Sequence, residues 1–326
     1  MKISIITPSY NQGEYIEQAI VSAIDQKHVE VELLVLDGGS TDKTVEILTK
    51  YDKYIKFWRS VPDKGQAAAI AEGHSKATGE VINWLNSDDY LQPNALSEIA
   101  ASFEDPSTLV YCGRSRIFGM EPDRKSNGTF VCFQDLDKTI GMARIDQPET
   151  FFRKSCWDIL GGVNPSFHYL MDKELWVRHL LYFGLKGIAE EDRVVVNFRH
   201  HSQSKTVTKQ DYFYEESHLL YGSLAKLFNL DIEWALKSRR QADAMRAQHN
   251  YGDPARIFNY YFYQNLQRSY AAADLQGFDE VLSNIRMELL SPSERIALKN
   301  LFIRRNIIPK WSRDSLRKIG SLFTTH

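Results

Sequence analysis

Cysteine is scarce in this 326-residue chain: Cys112, Cys132 and Cys156 are an odd set with no CxxC pair. That excludes a disulfide framework and a zinc ribbon, and it fits a reducing compartment. Long apolar runs are missing as well. No window approaches the ~18 apolar residues of a spanning helix, and the opening run Ile3–Ile6 is too short for a signal peptide. The expected location is therefore cytoplasmic. Charge is nearly balanced, 40 Lys+Arg against 42 Asp+Glu for a formal net of −2, so no nucleic-acid surface is expected. Neither GxGxxG nor GxxxxGK[ST] occurs. A dinucleotide turn and a P-loop are thereby excluded, and any phosphate must be held by other means.

What is present is an alternation of two hydrophobic periods. Ile3–Thr7 and Val31–Leu36 are β-rich runs, the second almost wholly apolar, as in a strand buried on both faces. Between them, Ile16, Ala19, Ile20, Ala23 and Ile24 make one helical stripe. After the turn Asp37-Gly38-Gly39-Ser40, Thr41 is expected to cap a helix carrying Val45, Leu48 and Tyr51. Ile55–Val61, Glu80–Leu85 and Thr108–Cys112 read as further strands, with helices from Gln66 to Ala77 and after Asn94. Such alternation predicts an α/β fold with a mainly parallel sheet flanked by helices. Lys154–Leu160 and Asp172–Tyr182 regain helical periodicity, and Arg193–Phe198 reads as a strand. Strand signals fade after Lys205. Two domains are expected, an α/β domain over 1–205 and a mostly helical C-terminal region over 206–326.

Sheets of this kind bind ligands beyond the carboxyl ends of their strands. Chain order puts Thr7-Pro8-Ser9, Asp37, Asp63-Lys64 and Asn86-Ser87-Asp88-Asp89 at that edge. Carboxylates repel a bare phosphate, so a divalent cation between them and a diphosphate is the economical arrangement. Asp88 either coordinates such a cation or belongs to a turn that ends a strand. Asp37 either accepts from a base or ribose, or forms the turn before Gly38-Gly39. Lys64 is either a phosphate partner or a solvated loop lysine. Local sequence leaves each pair of readings open.

The segments Ser4-Ile5-Ile6-Thr7-Pro8-Ser9-Tyr10-Asn11 and Val35-Leu36-Asp37-Gly38-Gly39-Ser40-Thr41-Asp42 resemble the opening of family 2 glycosyltransferases. That family has the GT-A fold and is usually inverting. Asp63-Lys64-Gly65-Gln66 and the stretch from Gly79 to Asp89 continue the resemblance in order. Gln147–Arg153, Gly161-Gly162 and Met171–Trp176 are similar to its acceptor-side half, so residues 1–205 are covered. The resemblance implies a nucleotide-diphosphate sugar donor, UDP-sugars first, and a hydroxyl of a glycan or lipid-linked acceptor in polysaccharide or glycan biosynthesis. It also assigns roles by position. Thr7, Pro8, Tyr10, Asp37, Lys64, Asn86 and Ser87 would hold the nucleotide, and Asp88 would bind Mn²⁺ or Mg²⁺. Asp89, Gln147, Glu149 and Met171 would line the sugar and acceptor, and Asp172 would be the catalytic base. In the HxxS-type segment His201 would join the metal, while Ser204 and Lys205 would meet the diphosphate; spacing does not separate His200 from His201.

Two departures bear on the chemistry. Asn86 stands at the first Asp of the family's DxD, leaving a weaker amide ligand. Met171 stands at the Glu of its Glu-Asp pair, so Asp172 lacks that like-charge neighbour to raise its pKa, and a helix N-terminus would lower it. Asp172 also suits a helix cap, a role compatible with acting as base. The QxxRW motif of processive synthases is absent, which favours single addition. Near the C-terminus, Arg295–Lys318 holds eight Lys/Arg against one Asp, interleaved with apolar residues and Trp311. Such a segment fits peripheral contact with an anionic membrane surface, an oligomer contact, or a solvated helix face. The rival functions are a non-catalytic sugar-nucleotide scaffold and a sugar nucleotidyltransferase.

Overall fold

The computed structural model describes residues 1–120, 122–202, 204–230, 252–272 and 274–307. They fall into two compact units: Met1–Val131 with Arg144–Asn250, and Cys132–Ala143 with Tyr251–His326. The expected boundary near 206 lies inside the first unit.

The first unit is built on one sheet. Strands β1 (Lys2–Ser9), β2 (Glu30–Asp37), β3 (Phe57–Ser60) and β4 (Val81–Trp84) pair in parallel in the order β3-β2-β1-β4. The crossovers are α1 (Ile16–Ile24), α2 (Thr44–Lys50) and α3 (Gln66–Lys76). The α1 stripe behaves as its period dictates, with Ile16, Ala19, Ile20 and Ala23 all buried. Helix α3 lies close over the sheet because Gly73 has no side chain; a β-carbon there would sit 2.5 Å from Ile6 Cγ2. Helix α2 departs from expectation in its start. Lys43 occupies the N-cap position without a side-chain bond, while Thr41 N donates to Asn11 Oδ1 and Asp42 Oδ1 accepts from Thr44 N.

Beyond β4 the sheet is mixed rather than parallel. β5 (Tyr90–Leu91) precedes α4 (Ala95–Ser102), then come β6 (Val110–Gly119) and β7 (Arg124–Lys125). After β8 (Thr150–Arg153), α6 (Lys154–Leu160) and α7 (Met171–Phe183) lead to β9 (Ile188–His200). β8 runs antiparallel between β4 and β6, β9 is parallel to β6, and the two-residue strands β5 and β7 are antiparallel to their neighbours. Strands this short carry no period, which is why they are invisible in sequence. Helices α8 (Lys205–Thr208) and α9 (Gln210–Leu227) follow. Trp84, Trp157 and Trp176 are core residues, as their apolar settings predict.

The second unit is helical: α5 (Leu136–Gly141), α10 (Pro254–Ala271), α11 (Leu275–Ser283) and α12 (Pro292–Ile307). Its core gathers Tyr260, Tyr263, Leu266, Phe278, Leu290 and Leu298. The aromatic run at 260–263 is thus helix packing. Gly141 permits the close approach of α5 to α10, since a β-carbon would lie 2.3 Å from the Ile257 carbonyl oxygen. Of the basic segment 295–318, residues 308–318 lie outside the described residues; on α12, Ile296, Phe302 and Ile303 are exposed. Among the described residues no helix is long and apolar enough to cross a membrane.

Candidate active site

Register puts Ser9, Asp37 and Ser60 side by side at the ends of β1, β2 and β3. The loops that leave them form one rim, tied together by short polar bonds. Asp37 is fully buried, and its carboxylate accepts from Gly39 N, Ser40 N, Ser40 Oγ and Ser60 Oγ at 2.5–3.1 Å. Its primary work is therefore to hold the Asp37-Gly38-Gly39-Ser40 turn. Ser40 Oγ in turn accepts from Asn11 N, and Asn11 adopts a left-handed φ of 52°. Thr7 and Pro8 are buried under this rim, while the Tyr10 ring is 62% exposed and lies against Gly38. Arg59, which the sequence reading passed over, braces the third loop. It donates to the Asp37 carbonyl at 2.5 Å and to Asp63 and Glu72 at 3.0 and 2.8 Å. Lys64 is exposed on that loop, before Gly65 at φ 99°.

The loop after β4 is fixed by residues more than a hundred positions away. Asp88 Oδ2 lies 3.0 Å from His201 Nε2, and His201 N donates to Ser204 Oγ at 3.0 Å. His200, the last residue of β9, is buried near Phe198. The imidazole that meets Asp88 is therefore that of His201. Arg199 holds the same loop from behind: its backbone N donates to Asp89 Oδ1 at 2.8 Å and its Nε to the Asp88 carbonyl at 3.0 Å. Its guanidinium packs over Phe118 and Tyr15 at 4.7 and 4.9 Å. Burial, reinforced by the Asp88 charge, pushes the Asp89 carboxyl well above the carboxylate range. Ser87 is buried in the loop.

A polar chain then crosses the site. Asp89 Oδ2 accepts from Asn86 Nδ2 at 3.4 Å, Asn86 Oδ1 from Gln66 Nε2 at 2.8 Å, and Gln66 Oε1 from Lys205 Nζ at 2.6 Å. Asn86 so placed needs both an amide donor and an amide acceptor, which explains its presence where a second carboxylate would face Asp89. Desolvation lowers the Lys205 pKa, against the pull of Glu216, Asp88 and Asp172. This one ammonium therefore stands among carboxylates from three separate segments.

Asp172 is the second residue of α7, whose N-cap is Leu170, so it does not cap the helix. Its Oδ1 accepts from Lys173 N at 2.7 Å. Burial raises its pKa to about 6, with the backbone bonds opposing and Asp146 adding to the rise. The sequence-based expectation of a lowered value is corrected: desolvation outweighs the helix end, and Asp146 supplies like charge although Met171 does not. Met171 itself is buried. Gln147 and Glu149 are buried, with their side chains hydrogen-bonded inside the protein. Gln147 Nε2 donates to Asn83 Oδ1 and the Trp84 carbonyl at 2.8 and 2.7 Å, and Glu149 Oε1 accepts from Ser126 Oγ at 2.7 Å. Glu149 is fully buried, and desolvation carries its carboxyl to about 8.

The chain is similar to known proteins in sequence and in fold. Residues 4–160 match the model of Glycosyl transferase family 2. An uncharacterized glycosyltransferase of Rickettsia typhi is 28% identical over 239 residues, 69% of this chain and 72% of that protein. The chondroitin synthase of Pasteurella multocida is 27% identical over 180 residues, which span 54% of this chain and 18% of that one. The solved structure of S. aureus TarS 1–349 in complex with UDP-GlcNAc shares the fold, with a TM-score of 0.59 at 16% identity, covering 89% of this chain and 83% of that. Residues 4–160 thus carry a glycosyl transferase family 2 domain, and the chain is a glycosyltransferase of GT-A-type fold.

Proposed function

We propose that the chain transfers a sugar, with inversion, from a nucleotide-diphosphate sugar to a hydroxyl of a glycan or lipid-linked acceptor, Asp172 acting as base. The observation that carries this reading is the convergence of the Asp88–His201 pair, Lys205 and Asp172 at one edge of the sheet. UDP-sugars are the first donors to test, since TarS was solved with UDP-GlcNAc. The rim of Thr7, Pro8, Asp37 and Lys64 takes the nucleotide, with the exposed Tyr10 ring available to stack on the base.

A carboxyl near pKa 6 is ionised at neutral pH yet basic enough to accept a proton. Asp172 takes that proton from the acceptor hydroxyl while its oxygen bonds the anomeric carbon and the opposite bond to the diphosphate breaks. Lys205 and Ser204 meet the departing diphosphate. Asp88 and His201 would hold a divalent cation, offering a carboxylate oxygen and an imidazole nitrogen 3.0 Å apart. No group of three or more His, Cys, Asp or Glu is arranged for metal among the described residues, so donor oxygens and water would complete the shell. Imidazole favours Mn²⁺ over Mg²⁺. When bound, the cation neutralises charge on the leaving diphosphate. The same reading includes contact of segment 295–318 with an anionic membrane, supported by the exposed apolar residues of α12.

The test is a panel of UDP-, GDP- and dTDP-sugars scored for nucleoside diphosphate release with Mn²⁺, Mg²⁺ or EDTA. Release with one donor, abolished by EDTA and by Asp88→Ala, supports the reading. Asp172→Asn should keep donor binding and lose turnover. Binding without turnover for every donor, glycan acceptors included, would replace it with the scaffold function.

A further inference from the structure

We propose that Glu216 of α9 is a positioning residue for the reaction, its carboxylate fixing the backbone from which Asp172 projects. The proposal deepens the reading of Asp172 as base and rests on it. Glu216 is only 2% exposed. Its Oε1 accepts from His168 N at 2.7 Å and its Oε2 from Tyr169 N and Leu170 N, both at 2.8 Å. These are three consecutive amides leading directly into α7, which begins at Met171 and has no side-chain cap of its own. Leu170 is the N-cap of α7 and the other two amides lie just before it, and backbone N–H groups drawn out of water need such acceptors. Here a carboxylate 46–48 residues further along the chain gathers them.

Two consequences bear on Asp172. The loop before it is held in one conformation, with Tyr169 stacked on Tyr212 of the same helix α9 at 5.1 Å between centroids. The Glu216 carboxylate also adds negative charge at the amino end of α7, beside that of Asp172, which accepts from Lys173 N and from its own N. The other charged groups that face Asp172 are Lys173, Asp146 and Lys205. Lys205 faces Glu216 as well, and its Nζ reaches the His168 carbonyl at 3.4 Å. Without the Glu216 charge, the helix end and the ammonium act on Asp172 with one offsetting carboxylate fewer. Each stabilises its ionised form and weakens it as a base.

The experiment is a ¹³C carboxyl NMR titration of the full chain labelled at aspartate, the Asp172 signal identified by its loss in Asp172→Asn. In Glu216→Gln the Asp172 midpoint should fall by about half a pH unit or more. An unmoved midpoint in a variant with a native thermal melt would overturn the proposal. Glu216→Asp, which keeps the charge but is too short for all three amides, is the second variant. Hydrogen exchange at His168, Tyr169 and Leu170 should accelerate about tenfold or more in it; unchanged exchange would also overturn the proposal. With UDP-GlcNAc as probe donor, kcat for UDP release should fall in Glu216→Gln while KM holds. Turnover retained by Asp172→Asn would instead defeat the base assignment, leaving the NMR result to stand on its own.

Discussion

Helix α7 carries Asp172, and Arg178 is what ties that helix to the neighbouring turn. Its guanidinium bonds Glu174 twice, at 2.7 and 2.6 Å, and donates to the Leu160 and Gly162 carbonyls at 2.6 and 2.8 Å. The two side chains are 8% and 1% exposed. Arg178→Met therefore leaves the Glu174 carboxylate buried without its cation and takes the donor from two carbonyls. Removing one partner of a buried pair costs about 3–5 kcal/mol, whereas replacing both by uncharged groups is often close to neutral. At about 2–4 °C per kcal/mol, the thermal midpoint should fall by roughly 6–20 °C. Adding Glu174→Gln should recover much of that loss, because the stranded charge is the larger part of it. Thermal and urea melts of both single variants and the double complete the cycle. A loss below about 1 kcal/mol in Arg178→Met, or a double variant weaker than that single one, would refute the reasoning.

The proposed mechanism requires ionised Asp172, so the rate constant should be level above about pH 6 and fall tenfold per unit well below it. A pH profile of nucleoside diphosphate release checks this, and a rate that stays level through that value counts against the base. Glu149, with a folded value of about 8 raised above the unfolded ~4.3, favours the fold below pH ~4.3 and loses that contribution as pH rises towards 8. Glu149→Gln should thus gain stability relative to the unchanged protein across that window and gain no more above it; melts at a series of pH values decide. Gly73→Ala should destabilise by about 1–3 kcal/mol despite alanine's helix propensity, since its β-carbon meets Ile6 at 2.5 Å. A melt showing net stabilisation would mean that α3 can move off β1.

The strands β1, β2 and β4 and the helices α1 and α3 were legible because each is written in its own period. The stripe Ile16, Ala19, Ile20, Ala23 is buried as a unit, and the apolar run of β2 lies between β1 and β3. Asp88 stood out locally, as a carboxylate ending a strand, whereas Asp172 was singled out by the family resemblance. Thr41 misled: its hydroxyl suits a cap, but its backbone is drawn to Asn11 across the rim. Gln147 and Glu149 look like site residues in sequence, yet their polar groups close hydrogen bonds inside the core.

The family resemblance carried by its motifs was sufficient to place this chain among sugar transferases, and strand order marked the edge of the sheet where the candidate site lies. Only the tertiary structure decided which histidine meets Asp88, why Asn86 is an amide, and what holds Asp172. Asp88 and His201 are 113 residues apart, Gln66 and Lys205 139, and Tyr169 and Glu216 47. The value of about 6 at Asp172 is set by burial, which no neighbour in sequence reports. Periodicity reflects which side of an element faces the core, whereas desolvation and long-range hydrogen bonds exist only once the elements are packed.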